Sequence, residues 1–175
     1  MEEIQPKPGK FGLTFGLILG GIGIVLALML FSLEMHYKRG WEINLINFII
    51  TTSVIVLAIS QFKKANQGFL SLGEAMKVGL GTAVVAGVVA ILWNMVFTNF
   101  IEPDFMDKIF EISRDEMIEQ NPTLTDEQIE QGEGMIRLFT GTGMIAVMLL
   151  VGSLFFGSII SLVAGLIMKK QKPEY

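Results

Sequence analysis

The fold of this protein is decided by the stretch FGLTFGLILGGIGIVLALMLFSL, residues 11–33. None of its 23 residues is Asp, Glu, Lys, Arg or His. About 20 helical residues, rising 1.5 Å each, cover the roughly 30 Å hydrocarbon core of a bilayer, whereas a barrel strand needs only about 10 residues of alternating polarity. The stretch therefore predicts a transmembrane helix.

Three further charge-free stretches, residues 43–62, 78–101 and 138–168, are also long enough to cross a membrane. The last has 31 residues, too many for one straight crossing, and the two glycines of Thr140-Gly141-Thr142-Gly143 favour a helix start there. We predict an all-α polytopic integral membrane protein, a single membrane domain of residues 1–175 with four transmembrane helices. The predicted spans are residues 11–33, 43–62, 78–101 and 143–168.

A secretory signal peptide is the alternative interpretation of the first stretch, because Lys7 and Lys10 precede it. Its 23 uncharged residues exceed the 7–15 of a signal core, and residues 31–34 offer no small-x-small cleavage site. We expect this helix to remain in the protein as a membrane anchor.

The composition agrees with a membrane protein. Of the 175 residues, 51% are hydrophobic and 17% charged, against about 25% charged in a soluble domain, and there is no cysteine. These values exclude a collagen-like chain, a disulfide scaffold, a disordered tail and a nucleic-acid-binding domain, so no nucleic-acid partner is expected.

Basic residues are distributed unevenly between the two sides that four crossings create. The side opposite the termini holds 13 of the 17 acids. Because basic residues accumulate on the cytoplasmic side, both termini are expected in the cytoplasm. Eight of the 13 basic residues lie in the two tails and the loop after the second span: Lys7, Lys10, Lys63, Lys64, Lys77, Lys169, Lys170 and Lys172.

The acidic segment of residues 102–137 has eleven acids and three basic residues, a local charge of −8 in a chain of net charge −4. Pro103 suits the first turn of a helix that would end near Asn121. Thr125 and Gln128 have the spacing of a capping box and predict a second helix start. We predict an extracytoplasmic acidic helical hairpin between the third and fourth spans.

The acidic segment has two candidate binding roles. Asp104, Asp107 and Glu111 share one helix face and carry oxygen ligands suited to a hard cation. Carboxylates at this spacing are more often a solvated face, and no calcium-binding loop, His or Cys accompanies them. We therefore assign no metal site, and cation binding by this segment is left as an open alternative. A protein partner on the outer segment is the other role. Its apolar stripe comprises Phe105, Met106, Ile109, Phe110, Ile112, Met117 and Ile118.

Small residues form ridges along three of the predicted spans. Residues four apart share a helix face, and small ones allow close backbone approach in lipid. The ridges join helices within one subunit, which we favour, or join subunits in a homo-oligomer. They are Gly12, Gly16 and Gly20; Gly79, Ala83 and Gly87; and Ser153, Gly157, Ser161 and Gly165.

The predicted spans contain no ionisable residue, which counts against ion-coupled transport. Asn44, Asn47, Asn94 and Asn99 could line an uncharged vestibule open to the outside. No nucleophile motif, phosphate-binding loop or metal set is present, so we predict no enzyme, no catalytic or cofactor-binding residue and no cofactor.

Two ionisable residues outside the uncharged stretches have structural interpretations. Glu74 follows Ser71 by three residues, so the pair forms a capping box at the start of the third span. His36, the single histidine, lies in a short loop and is expected to be a solvated residue rather than a ligand or base.

Several segments together are similar to one known family: residues 62–79, 101–105, 125–130 and 152–157, and the ending Lys169-Lys170. They resemble an uncharacterised family of small four-helix membrane proteins from Bacteroidota, the domain of unknown function DUF4199. The resemblance covers nearly the whole chain and implies a multi-pass protein of the bacterial inner membrane. It supplies no activity, cofactor or catalytic residue.

Two hypotheses follow for the function. The first is a non-catalytic structural or accessory component that acts through helix packing and its outer acidic segment. The second is a subunit of an oligomeric pore or small uncoupled transporter. Membrane lipids are the expected surroundings in both cases.

Overall fold

The computed structural model describes residues 6–37 and 40–171. Lys38, Arg39 and Lys172, which enter the charge balance above, lie outside the described residues. The helices are α1 (Pro8–Ser32), α2 (Trp41–Ala65), α3 (Leu72–Val96), a π-helix (Phe97–Ile101), α4 (Phe105–Gln120), α5 (Asp126–Thr140) and α6 (Thr142–Met168).

Four of these helices are long and apolar enough to cross a membrane: α1, α2, α3 with the π-helix, and α6. The prediction of an all-helical protein with four apolar spans is confirmed, and the described residues contain no strand beyond one isolated backbone bridge. The fourth span begins at Thr142, after Gly141 adopts an extended conformation with φ −63° and ψ 136°. The predicted break in residues 140–143 therefore lies at Gly141.

The chain divides into two compact units. One comprises Met1–Ala90 and Leu150–Tyr175, and the other comprises Ile91–Leu149. Helices α3 and α6 contribute residues to both units.

The core of the first unit lies toward one end of its helices. Buried residues of α1 lie between Gly12 and Gly20, and those of α2 between Val54 and Phe62. The remaining halves of α1 and α2 contain no buried residue among those described. The core cluster is Ile55, Ala58, Ile59, Phe62, Leu70, Ala75, Val78, Ile160 and Ala164.

Helix α3 packs against both the α1 ridge and the α6 ridge. A Cβ atom at Gly12 would lie 3.0 Å from the Cα atom of Gly81, so the two backbones are nearly in contact. On the other ridge, Gly157 lies against Ala83. Both small-residue ridges are therefore used within one chain. The further contacts of the ridges are Gly16–Val85, Gly20–Val89, Ser153–Gly87, Ser161–Gly79 and Gly165–Ala75.

The second unit contains the helical pair α4–α5, which pack against each other. The first helix ends at Gln120, as the Asn121 signal predicts, and Thr125 and Gln128 form the predicted capping box. The expectation that Pro103 occupies the first turn of this helix is wrong. Glu102, which precedes the proline, has a non-helical backbone (φ −141°, ψ 80°), and α4 begins only at Phe105.

Candidate interaction surfaces

Helices α4 and α5 are linked by a charged hydrogen bond near their midpoints. Arg114 Nε donates to Glu133 Oε1 at 2.6 Å, and the Arg114 guanidinium is also 3.6 Å from Asp115. The hydrogen bond to Glu133, and next the charge of that carboxylate, raise the pKa of Arg114. Arg114 is therefore used inside the helical pair as a permanent cation.

Apolar and aromatic contacts complete the α4–α5 interface. The Arg137 guanidinium lies 4.1 Å from the centroid of the Phe110 ring, a cation–π contact, and Met117 packs against Gly132. Part of the apolar stripe predicted on α4 is thus covered by α5 of the same chain.

The outer surface of α4 and α5 is acidic. Lys108 is paired with Glu102 at 2.9 Å, and Arg114 and Arg137 are engaged between the helices, so all three basic residues of the segment have contacts within it. No three acidic or imidazole side chains within residues 6–37 and 40–171 come close enough together to hold a metal ion. The acidic surface consists of the exposed residues Asp104, Asp107, Glu111, Asp115, Glu116, Glu119, Asp126, Glu127 and Glu130.

A short π-helix joins α3 to this helical pair. Its defining hydrogen bond runs from Glu102 N to Phe97 O at 2.8 Å, one residue longer in register than an α-helical bond. Phe97 is 7% exposed and packs edge-on against Phe105, with ring centroids 5.2 Å apart. The π-helix was not predicted, although Pro103 after Glu102 is a signal for the helix end.

The α2–α3 loop is an ordered cap at the other end of the spans. Ser71 N donates to Glu74 Oε2 at 2.8 Å, and Glu74 N donates back to Ser71 Oγ at 3.2 Å, which confirms the predicted capping box. Asn66, 7% exposed, donates to Phe69 O and to Glu74 Oε1. The turn itself needs a left-handed residue at Gly68 (φ 82°).

The same loop is joined to the end of α6. Leu70 and Lys170 exchange backbone hydrogen bonds of 2.8 and 2.9 Å, and Leu70 is fully buried. Lys63 Nζ donates a hydrogen bond of 2.8 Å to the backbone carbonyl of Met168, the last residue of α6. Lys63 therefore has a specific structural contact in addition to its place in the charge balance.

Hydroxyls and amides on the apolar helices bond mainly to their own backbone. Thr82 donates to Val78 O, Asn47 to Ile43 O, and Asn99 to Met95 O. None of these three side chains hydrogen-bonds to another span within the part of the chain that the structure describes. They satisfy their donors locally, as is common where a helix provides carbonyls four residues back.

The polar residues in the first half of α2 lie on the same helix face as the residues that are buried in its second half. Taking 100° per residue, Asn44 and Thr51 align with the buried Ile55 and Phe62. Asn44 and Asn47 are nevertheless exposed. The Oγ1 atom of Thr52 is buried without a hydrogen-bond partner among the described residues. The first half of α2 thus presents a polar stripe that the first unit leaves uncovered.

His36 lies among aromatic rings in the α1–α2 loop. Its ring centroid is 5.1 Å from that of Phe31 and 4.1 Å from that of Tyr37, and the residue is half-buried. The sequence predicts a solvated side chain and not this packing; the chain turns nearby at Glu34, whose φ is 55°.

Comparison with known proteins gives one family. A family model described as "Protein of unknown function (DUF4199)" matches residues 14–170. No curated protein and no solved structure matches the chain.

Proposed function

The chain belongs to the DUF4199 family of unknown function, and from its four apolar helices we propose that it is a multi-pass protein of the bacterial inner membrane. Its role is that of a non-catalytic accessory component. It acts by presenting the α4–α5 pair to a protein partner, while the packed spans hold that pair at the membrane.

The proposed orientation has both termini in the cytoplasm. Lys63 and Lys64 lie in the last turn of α2, and Lys77 lies in the second turn of α3. Lys169 and Lys170 follow α6. Four crossings bring these groups to the side of the N-terminal tail, and the positive-inside rule favours the cytoplasm for them. One span, α3, separates the α4–α5 pair from the lysines of the α2–α3 region, and one span, α6, separates it from Lys169 and Lys170. In this orientation the pair is extracytoplasmic.

The acidic surface of α4 and α5 is the observation that supports a binding role. Its nine exposed carboxylate residues share one helical pair whose three basic residues are already engaged. A surface of one sign attracts a partner of the opposite sign and raises its rate of encounter. The partner is therefore expected to carry a basic segment.

A crosslinking experiment in native membranes tests this role. The chain has no cysteine, so a single Glu116→Cys substitution gives one reactive site on the acidic surface. We expect a heteromeric adduct that decreases when Glu111→Gln and Glu119→Gln are added.

The matched control removes two other exposed carboxylates, Glu34→Gln and Glu42→Gln, from the α1–α2 region. This control should leave the adduct unchanged. An adduct that is absent, or that responds equally to both pairs of substitutions, contradicts recognition by the acidic surface.

An uncoupled transporter or oligomeric pore is the second candidate function. It is favoured by the uncovered polar stripe of α2, on which Asn44 and Asn47 are exposed although a helix face in lipid is normally apolar. In this alternative, the Asn94 and Asn99 region provides further uncharged polar groups.

Mass measurement in native nanodiscs, combined with solute flux into vesicles, tests the alternative. A pore requires several copies per disc and a flux that falls when Asn44 and Asn47 are both replaced by Leu. A strictly monomeric protein without flux eliminates the pore and leaves the accessory role.

A further inference from the structure

Helix α5 carries apolar residues on two faces, and only one of them is covered. Ile129, Gly132 and Ile136 are half-buried on the face toward α4, where Gly132 contacts Met117. The centre of a second face lies about 100° around the helix from the centre of the first, at 100° per residue, and all of its residues are exposed. This second face, here called the α5 outer face, consists of Gln128, Gln131, Met135, Leu138 and Phe139.

The α5 outer face combines large apolar exposure with a complete lack of charge. Met135 is 61% exposed, Leu138 58% and Phe139 46%. The acids of the helix lie to its sides and rear, with Glu130 about 140° around the helix from Met135. Three adjacent exposed apolar side chains in an otherwise acidic segment indicate a surface that contacts something apolar.

The chain places this face next to a membrane span. Phe139 is three residues before Thr142, where α6 begins, and Met135 is five residues before the end of α5, about 7.5 Å of helix rise. The 27 residues of α6 extend to about 40 Å, longer than the roughly 30 Å hydrocarbon core, so its first turn lies near the headgroups. The last turns of α5 are therefore within reach of the interfacial layer.

We propose that the α5 outer face lies in the lipid headgroup region of the leaflet in which α6 begins. An amphipathic helix binds there with its apolar side toward the acyl chains. Val147 and Met148, in the second turn of α6, are exposed apolar residues as well. Since α4 covers the other side of α5, this contact turns the α4 helix and its carboxylates toward water.

Single-cysteine spin labelling of the full chain in lipid vesicles tests the proposal. The cysteine-free chain accepts a nitroxide at Met135→Cys or Leu138→Cys, both exposed positions. Collision rates with oxygen, which concentrates in lipid, and with a water-soluble nickel chelate report the surroundings of each label. Glu130→Cys is the control on the charged side of α5, and Met148→Cys is the lipid reference on α6.

We expect the ratio of oxygen to nickel collisions at positions 135 and 138 to be several-fold higher than at Glu130 and to approach that at Met148. A ratio equal to that of Glu130 means that the face is in water and overturns the proposal. Low collision rates with both reagents mean that protein covers the face, which also overturns it. The result does not depend on whether α4 and α5 bind a partner.

Discussion

Gly16 has no Cβ atom, and this allows the close approach of α1 and α3. A Cβ atom at this position would lie 2.5 Å from Val85 Cβ and 2.9 Å from Thr82 O, too close without movement of α3. We expect Gly16→Ala to lower the free energy of unfolding by about 1–3 kcal/mol, as overpacking of a dense interface does. Reversible unfolding in mixed detergent micelles, followed by helical circular dichroism, measures this loss.

The control is Gly21→Ala on the same helix, where an added Cβ would meet nothing within 4 Å. Because alanine is the better helix former, this variant should be as stable as the native protein or slightly more stable. Equal effects at the two positions would mean that helix propensity, and not contact with α3, governs the response.

The glycine ridges also show what could be predicted at the residue scale. A four-residue spacing identifies Gly12, Gly16 and Gly20 as one flat face from sequence alone. It does not identify the helix that packs there, because α3 and α6 carry ridges of the same kind. Pairing Gly12 with Gly81, which lies outside the predicted α3 ridge, depends on the rotation of both helices.

At the scale of the element, the start of α3 depends on Glu74. Its carboxylate accepts hydrogen bonds from Ser71 N and Ser71 Oγ, each 2.8 Å long, and from the buried Asn66. Glu74→Ala leaves these donors without that acceptor and should cost about 1–2 kcal/mol of stability. Glu74→Gln keeps an acceptor oxygen and should retain most of the stability in the same unfolding assay. Equal losses in the two variants would show that the charge, rather than the hydrogen bonding, is what matters.

The end of α6 provides a second prediction at this scale. Lys63 Nζ donates to Met168 O, whereas its neighbour Lys64 is exposed. Lys63→Met should free the last turn of α6 and speed hydrogen exchange at Lys169 and Lys170, by about fivefold for a hydrogen bond of about 1 kcal/mol. Lys64→Met is the matched control and should leave the exchange unchanged. If both variants exchange alike, the contact does not hold the helix end.

The elements differ in how far local sequence determined them. Charge-free stretches located the apolar helices, and capping boxes located the starts of α3 and α5, because each signal acts over one helical turn or one bilayer thickness. The π-helix and the bond from Lys63 to Met168 could not be located in this way. The first has no local sequence signal beyond Pro103, and the second joins residues 105 positions apart.

At the scale of the whole molecule, the polar stripe of α2 shows that periodicity predicts which helix face is buried but not which part of that face. Asn44 and Thr51 continue the face that buries Ile55 and Phe62, so periodicity alone assigns all four to the interior. Only the inner two are buried, since the core of the first unit lies toward the end of the helices that carries Phe62. Which part of a long helix face is covered depends on every neighbouring helix at once.

The orientation of the chain is the last prediction, and it can be tested without knowledge of any partner. Gln67 in the α2–α3 loop and Gln120 at the end of α4 are both exposed, and one candidate span, Leu72–Ile101, separates them. Single cysteines at these positions should react with a membrane-impermeant maleimide from opposite sides, with Gln120 accessible in intact cells and Gln67 only after lysis. The reason is the lysine content of the α2–α3 region, which favours the cytoplasmic side. Reversed labelling would place the termini outside, and labelling of both positions from one side would show that α3 does not cross the membrane.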